Sequence, residues 1–251
     1  MLLGAVTYNV LNNMDLETVI RTLEAAGYEA VELRTGHKQG VEPALSEAER
    51  TKVKERFEHS KVRLLSYGTT CEFQSADAAE RRKQIDLAKE FIKLAHDTGA
   101  LGVKVRPNGL AKGVDKGTTI QNIAAGLREV GEHGYVHGVE IWLEVHGAET
   151  QVPTVAAEIM RATNHKNVGL CWNSNPTDVV NGSVKPSFDL LRPWLKSCHI
   201  TELASNYPYK ELFGLMKKSG YDRWTLCEAA ESKEPERFLR YYRALWRELM
   251  A

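Results

Sequence analysis

The sequence predicts a single (β/α)₈ barrel spanning residues 1–251, and three observations carry that expectation. Short β-type runs alternate with long helical patterns eight times from end to end. Eight such units with no long Pro/Gly/Ser-rich linker favour a closed barrel over a doubly wound sheet. The first strand-to-helix connection, TYNVLNNMDLET, has no glycine-rich phosphate loop, so the fingerprint of the competing doubly wound dinucleotide-binding sheet is missing.

In chain order the strands read as residues 4–10, 30–34, 63–68, 102–106, 140–146, 168–173, 197–201 and 224–228, each followed by a helical pattern. Asp15 and Ser46 read as helix N-caps, Pro153 suits a first helical turn, and Gly27 and Gly220 suit C-terminal stops. In the helix after the third strand, Ile85, Ala88, Ile92 and Ala95 form an apolar stripe at helical spacing. The longest inserts are HKQGVEP, RPNGLAKGVDKGT and SNPTDVVNGSVKPS. All three follow the C-terminal ends of strands, the face on which barrels recognise their ligands.

Composition narrows the function. With 43% hydrophobic and 26% charged residues the chain reads as an ordinary globular protein. Formal net charge is +0 and no Lys/Arg block stands out, so the electrostatic footprint of a nucleic-acid binder is missing and a small-molecule partner is expected. Homo-oligomerisation is compatible with this composition. The opening MLLGAVTYNV has no basic leader and runs straight into strand-like sequence, so neither signal peptide nor membrane span is expected and a cytoplasmic location follows. Cys71, Cys171, Cys198 and Cys227 form no CxxC and sit mostly in apolar runs, as buried reduced thiols do.

Four oxygen or nitrogen donors lie at the ends of four consecutive strands: Glu144, Asn173, His199 and Glu228. Their separations of 29, 26 and 29 residues each equal about one β/α unit, so the side chains should project from neighbouring strands at similar height. Residues two apart share a face of a strand, which sends Cys198 and Cys227 toward the helices if His199 and Glu228 face the lumen. The same alternation pairs Glu144 with His146, Lys104 with Arg106, and Glu32 with Arg34. Two carboxylates, an amide and an imidazole suit Mn²⁺ best, with Mg²⁺, Co²⁺ or Zn²⁺ as alternatives. Taken singly, either glutamate could instead pair with Arg106 or Lys104, and His199 could be a satisfied core histidine. His146, Arg106, Glu32 and Lys104 are candidate substrate-binding residues, with an ion pair closing the mouth as the alternative for Glu32 and Arg106.

At these residues the chain resembles the xylose isomerase-like barrel superfamily. This is the sugar phosphate isomerase/epimerase group that also contains ketose 3-epimerases, hydroxypyruvate isomerases, inosose dehydratases and endonuclease IV. The resemblance covers nearly the whole chain. It implies one divalent cation held by a Glu, an Asp, a His and a Glu on strands five to eight, positions that fall on Glu144, Asn173, His199 and Glu228. The sequence departs from the pattern in two places. Asp-x-x-His becomes Asn173-Ser174-Asn175-Pro176, and the acidic residue expected after the strand-seven histidine is replaced by the run His199-Ile200-Thr201-Glu202.

The function so implied is a metal-dependent sugar isomerase or epimerase. Glu144 and Glu228 would exchange protons on opposite sides of the carbon beside the carbonyl, through a metal-stabilised enediolate. A dehydratase or lyase of keto-sugars, keto-inositols or 3-keto-glycosides would begin with the same proton abstraction. A non-catalytic carbohydrate-binding barrel is the alternative of another class. An endonuclease IV-like role is disfavoured, because neither a His-rich trinuclear cluster nor a basic groove is evident.

Overall fold

The computed structural model describes residues 1–251. Eight parallel strands close in sequence order into a barrel: β1 (Leu2–Val6), β2 (Ala30–Arg34), β3 (Arg63–Gly68), β4 (Gly102–Val105), β5 (Glu140–Glu144), β6 (Val168–Asn173), β7 (Leu195–Ile200) and β8 (Trp224–Cys227). The helices α1 (Leu16–Ala26), α2 (Glu47–Glu58), α3 (Ala78–Thr98), α4 (Lys116–His137), α5 (Pro153–Thr163), α6 (Lys185–Leu191), α7 (Tyr209–Lys218) and α8 (Pro235–Met250) alternate with them. Closure comes from β1 pairing with β8, Leu2 opposite Trp224 through Ala5 opposite Cys227. No helix is long and apolar enough to cross a membrane.

Local chemistry sets the boundaries. The Asp15 carboxylate accepts from the Thr18 backbone N–H at 2.8 Å, and Ser46 with Glu49 forms a reciprocal capping box. Gly27 ends α1 at φ 76°, a conformation that costs glycine little. Gly220 stands one residue beyond the Ser219 cap of α7. The largest departure from the expected strands is β1, which stops at Val6 and gives way to a turn in which Asn9 takes φ 61°. Arg106, His146 and Glu228 also fall just past their strands.

Two apolar layers hold the barrel. The larger lies between sheet and helices and contains the α3 stripe together with Cys198, Cys227 and Trp172. The smaller fills the lumen with Val6, Ala30, Leu65, Trp142, Cys171 and Leu226. These residues form a floor, and the polar cluster at the C-terminal ends of the strands stands on it. All four cysteines are buried and unpaired.

Candidate metal centre

One layer above that floor the lumen turns polar. Asn173 and His199 are register partners on β6 and β7, and Glu144 ends β5 beside them. Glu228 follows β8, held by its backbone N–H donating to the Ile200 carbonyl at 2.9 Å. One ligand atom from each of Glu144, His199 and Glu228 lies within 4.8 Å of the others. The His199 Nδ1 stands 3.6 Å from Glu144 Oε1 and 3.3 Å from Glu228 Oε2. It is buried without a hydrogen-bond partner. An orphaned imidazole nitrogen between two carboxylates is a donor set that fits a hard divalent cation. Asn173 Nδ2 donates to Glu144 Oε1 at 3.3 Å, and turning the amide over would offer its oxygen to the same space.

The surrounding groups fix this cluster. Glu32, fully buried on β2, reaches across the lumen so that its Oε1 takes His199 Nε2 at 3.1 Å, while Ser66 Oγ donates to Oε2 at 2.8 Å. A carboxylate on one ring nitrogen sets the tautomer and turns the other nitrogen to the centre. The approach is so close that a Cβ on Gly68 would meet Glu32 Oε1 at 2.6 Å, so a larger residue there would push the Glu32 carboxylate from its place. Lys104 Nζ sits 2.5 Å from Glu144 Oε2, with both side chains 4% exposed.

Burial works against charge throughout, and pairing outweighs it. For Glu144, the Lys104 ammonium and His199 overcome burial and hold the carboxyl well below the usual glutamate range. For Lys104, the carboxylates of Glu144, Glu32 and Glu228 overcome burial and raise its pKa. For His199, the Cys171 sulfur and the carboxylates of Glu228 and Glu32 overcome burial and raise the imidazole well above its usual value. A cation at this centre would have to compete with a proton on His199.

Of the candidate substrate-binding residues, Glu32 and Lys104 are buried in this network. Arg106 stands higher, its Nη2 3.0 Å from Glu72 Oε1. His146 is half-buried just past β5, with Nδ1 unpartnered. Ser66 and Glu72 are the members of the site that sequence reasoning missed. For Ser66 the one signal was a small polar residue inside an apolar strand. The long loops after β2, β4 and β6 surround this end of the barrel.

A closed eight-stranded barrel with a carboxylate–histidine cage at its C-terminal mouth defines the class. The chain belongs to the xylose isomerase-like TIM barrel family, whose model matches residues 20–175. No curated protein sequence matches it. Among solved structures, a D-psicose 3-epimerase with D-tagatose from Clostridium cellulolyticum H10 superposes with a TM-score of 0.85 at 14% identity, covering 100% of this chain and 99% of that one. An IOLI protein with a binding zinc atom superposes at 0.81 with 17% identity, covering 99% and 96%. The probable 3-DHS dehydratase AsbF, involved in petrobactin synthesis, from Bacillus anthracis superposes at 0.76 with 14% identity, covering 100% and 99%. At such identities the likeness is one of fold.

Proposed function

We propose that this chain is a divalent-metal-dependent sugar isomerase or epimerase, with Glu144, Asn173, His199 and Glu228 as ligands and Mn²⁺ as the preferred ion. The observation that carries the proposal is the orphaned Nδ1 of His199 between Glu144 and Glu228. The family membership and the solved epimerase of the same fold support a carbohydrate with adjacent carbonyl and hydroxyl groups. When bound, the cation supplies Lewis-acid polarisation of those two oxygens.

The chain's own residues divide the proton work. Glu144, kept ionised by Lys104, accepts the proton from the carbon beside the carbonyl, and the electron pair moves toward the carbonyl oxygen. Glu228, 17% exposed, delivers a proton to the opposite side; Glu144 then returns its proton to solvent and Glu228 takes one up, which resets the pair. Glu32 acts on His199 as a positioning residue rather than on substrate, and Lys104 acts on Glu144 in the same way. His146 and Arg106, higher in the mouth, contact substrate hydroxyls. Four unpaired thiols accord with a reducing, cytoplasmic compartment.

A second reading rests on the dehydratase of the same fold and on the lack of a histidine in Asn173-Ser174-Asn175-Pro176. There the same abstraction is followed by loss of a β-substituent. The test is a panel of keto-sugars incubated in deuterated water with Mn²⁺ and read by mass. Deuterium uptake at conserved sugar mass, abolished by chelator, Glu144→Gln and Glu228→Gln, is the expected result. Loss of water or an aglycone would establish the lyase. Uptake that survives both substitutions, or no uptake with any sugar, defeats the proposal.

A further inference from the structure

The rim above β1 and β2 holds a cation with no acidic partner. Alternation along β2 puts Arg34 on the face of Glu32, one layer nearer the mouth. Because Glu32 reaches across the lumen to His199, that face looks inward and Arg34 overhangs the cage. The Arg34 guanidinium makes no ion pair; Nη1 donates to the Thr35 carbonyl at 3.3 Å, leaving most of its five donors free.

Acids on the same rim turn their oxygens to other donors, and none makes an ion pair with Arg34. Glu42 accepts from the Thr35 hydroxyl at 2.9 Å and from the Gly36 N–H at 2.7 Å. Glu72 is held by Arg106, and Glu231 accepts from Asn12 at 3.1 Å.

The arginine is also held in place. Its guanidinium carbon lies 5.9 Å from the centroid of the Tyr8 ring, and Tyr8 stacks on His37 at 6.2 Å with an interplanar angle of 13°. The buried Thr7 hydroxyl accepts the Arg34 backbone N–H at 2.9 Å and meets His37 Nδ1 at 3.2 Å. Tyr8 itself is 43% exposed, an aromatic face open to the mouth.

In the layer below, three carboxylates and one ammonium leave two negative charges, which a divalent cation offsets. A free guanidinium above a neutral centre selects for negative charge on what enters. We infer that the substrate carries an anionic group, a carboxylate or a phosphate, and that Arg34 binds it through paired N–H donors beside the Tyr8 ring. This rests on the sugar isomerase reading and specifies its substrate class.

Three probes that differ only at C6 test it: D-fructose, D-fructose 6-phosphate and D-fructuronate. Each is titrated calorimetrically into the protein with and without Mn²⁺. One of the two anions should bind about tenfold or more tightly than D-fructose, and which one identifies phosphate or carboxylate as the source. Arg34→Met should abolish the preference while leaving D-fructose affinity within about twofold, and Arg34→Lys should retain part of it. Should Arg34→Met fail to fold, Arg34→Lys and loss of the wild-type preference at high salt test the same point. Equal affinities, no binding of either anion, or a preference that survives Arg34→Met overturns the inference. Failure of the isomerase reading shows separately, as absence of Mn²⁺ uptake or of deuterium exchange beside an intact anion preference.

Discussion

Replacing Lys104 by Met keeps most of the aliphatic stem and deletes one buried charge. The ammonium is 2.5 Å from Glu144 and both side chains are almost sealed, so the carboxylate left behind has no bulk water to turn to. Breaking a buried pair on one side costs about 3–5 kcal/mol. Asn173 at 3.3 Å and His199 at 3.6 Å still face the same carboxylate, which favours the lower end, about 3 kcal/mol. For a chain of this size that corresponds to a fall in Tm of roughly 6–12 °C.

The expected deficit has a pH signature. A depressed glutamate pKa contributes stability above the ordinary glutamate range and loses it as pH falls through the folded value. The gap between wild type and variant should therefore be full at pH 7 and narrow only as pH falls below the ordinary glutamate range. It should also narrow with Mn²⁺, since a bound cation takes over the counter-charge, so the metal-induced rise in Tm is larger in the variant. Calorimetric scans in chelator and in excess Mn²⁺ decide the matter. A variant Tm in chelator within a degree of wild type, or a metal-induced rise no larger than wild type, refutes the role given to Lys104.

Asn173→Asp puts a second carboxylate beside Glu144 and should lower metal-free stability while raising Mn²⁺ affinity about tenfold or more, with slower turnover; equal dissociation constants by titration calorimetry remove Asn173 from the ligands. Glu32→Gln keeps an acceptor for His199 Nε2 but loses its charge, so Mn²⁺ binding should weaken by at least about tenfold, and an unchanged affinity in the same assay ends its positioning role. Asp178 is raised to about 7 by burial, despite hydrogen bonds from the Tyr207 hydroxyl and the Asn175 N–H. The folded chain thus holds a proton that the unfolded chain loses near pH 4, and stability drains away between pH 4 and 7. Asp178→Asn should flatten that decline and stabilise the protein at pH 8 by up to roughly 4 kcal/mol, visible as a Tm that depends less on pH than that of wild type.

Much of this architecture is visible in the residues because a parallel barrel strand is short, apolar and bounded by caps that announce the next helix. Most of the helices are preceded or ended by capping features of the expected kind, Asp15, Ser46 and Pro153 among them. The convergence of Glu144, Asn173, His199 and Glu228 follows from spacing, since neighbouring strands place residues one unit apart at one height. Contacts across the barrel diameter do not follow from spacing. Nothing in sequence distance announces that Glu32 on β2 meets His199 on β7, a separation of 167 residues. The choice between Lys104 and Arg106 as partner for Glu144 was equally hidden, because it depends on Glu72, a loop residue that claims Arg106.

The positions of the four proposed ligands have a mechanical consequence. Glu144, Asn173 and His199 lie on β5, β6 and β7, and Glu228 directly follows β8. An ion held there would tie β5, β6, β7 and the end of β8 to one another, and the Glu32 to His199 bond reaches from that group across the lumen to β2. The cage cannot assemble in a nascent or truncated chain that lacks β8. On the proposed ligand set, metal uptake would report that β5 to β8 are in place, and excess metal should slow the separation of those strands more than the fraying of the α3 and α4 wall.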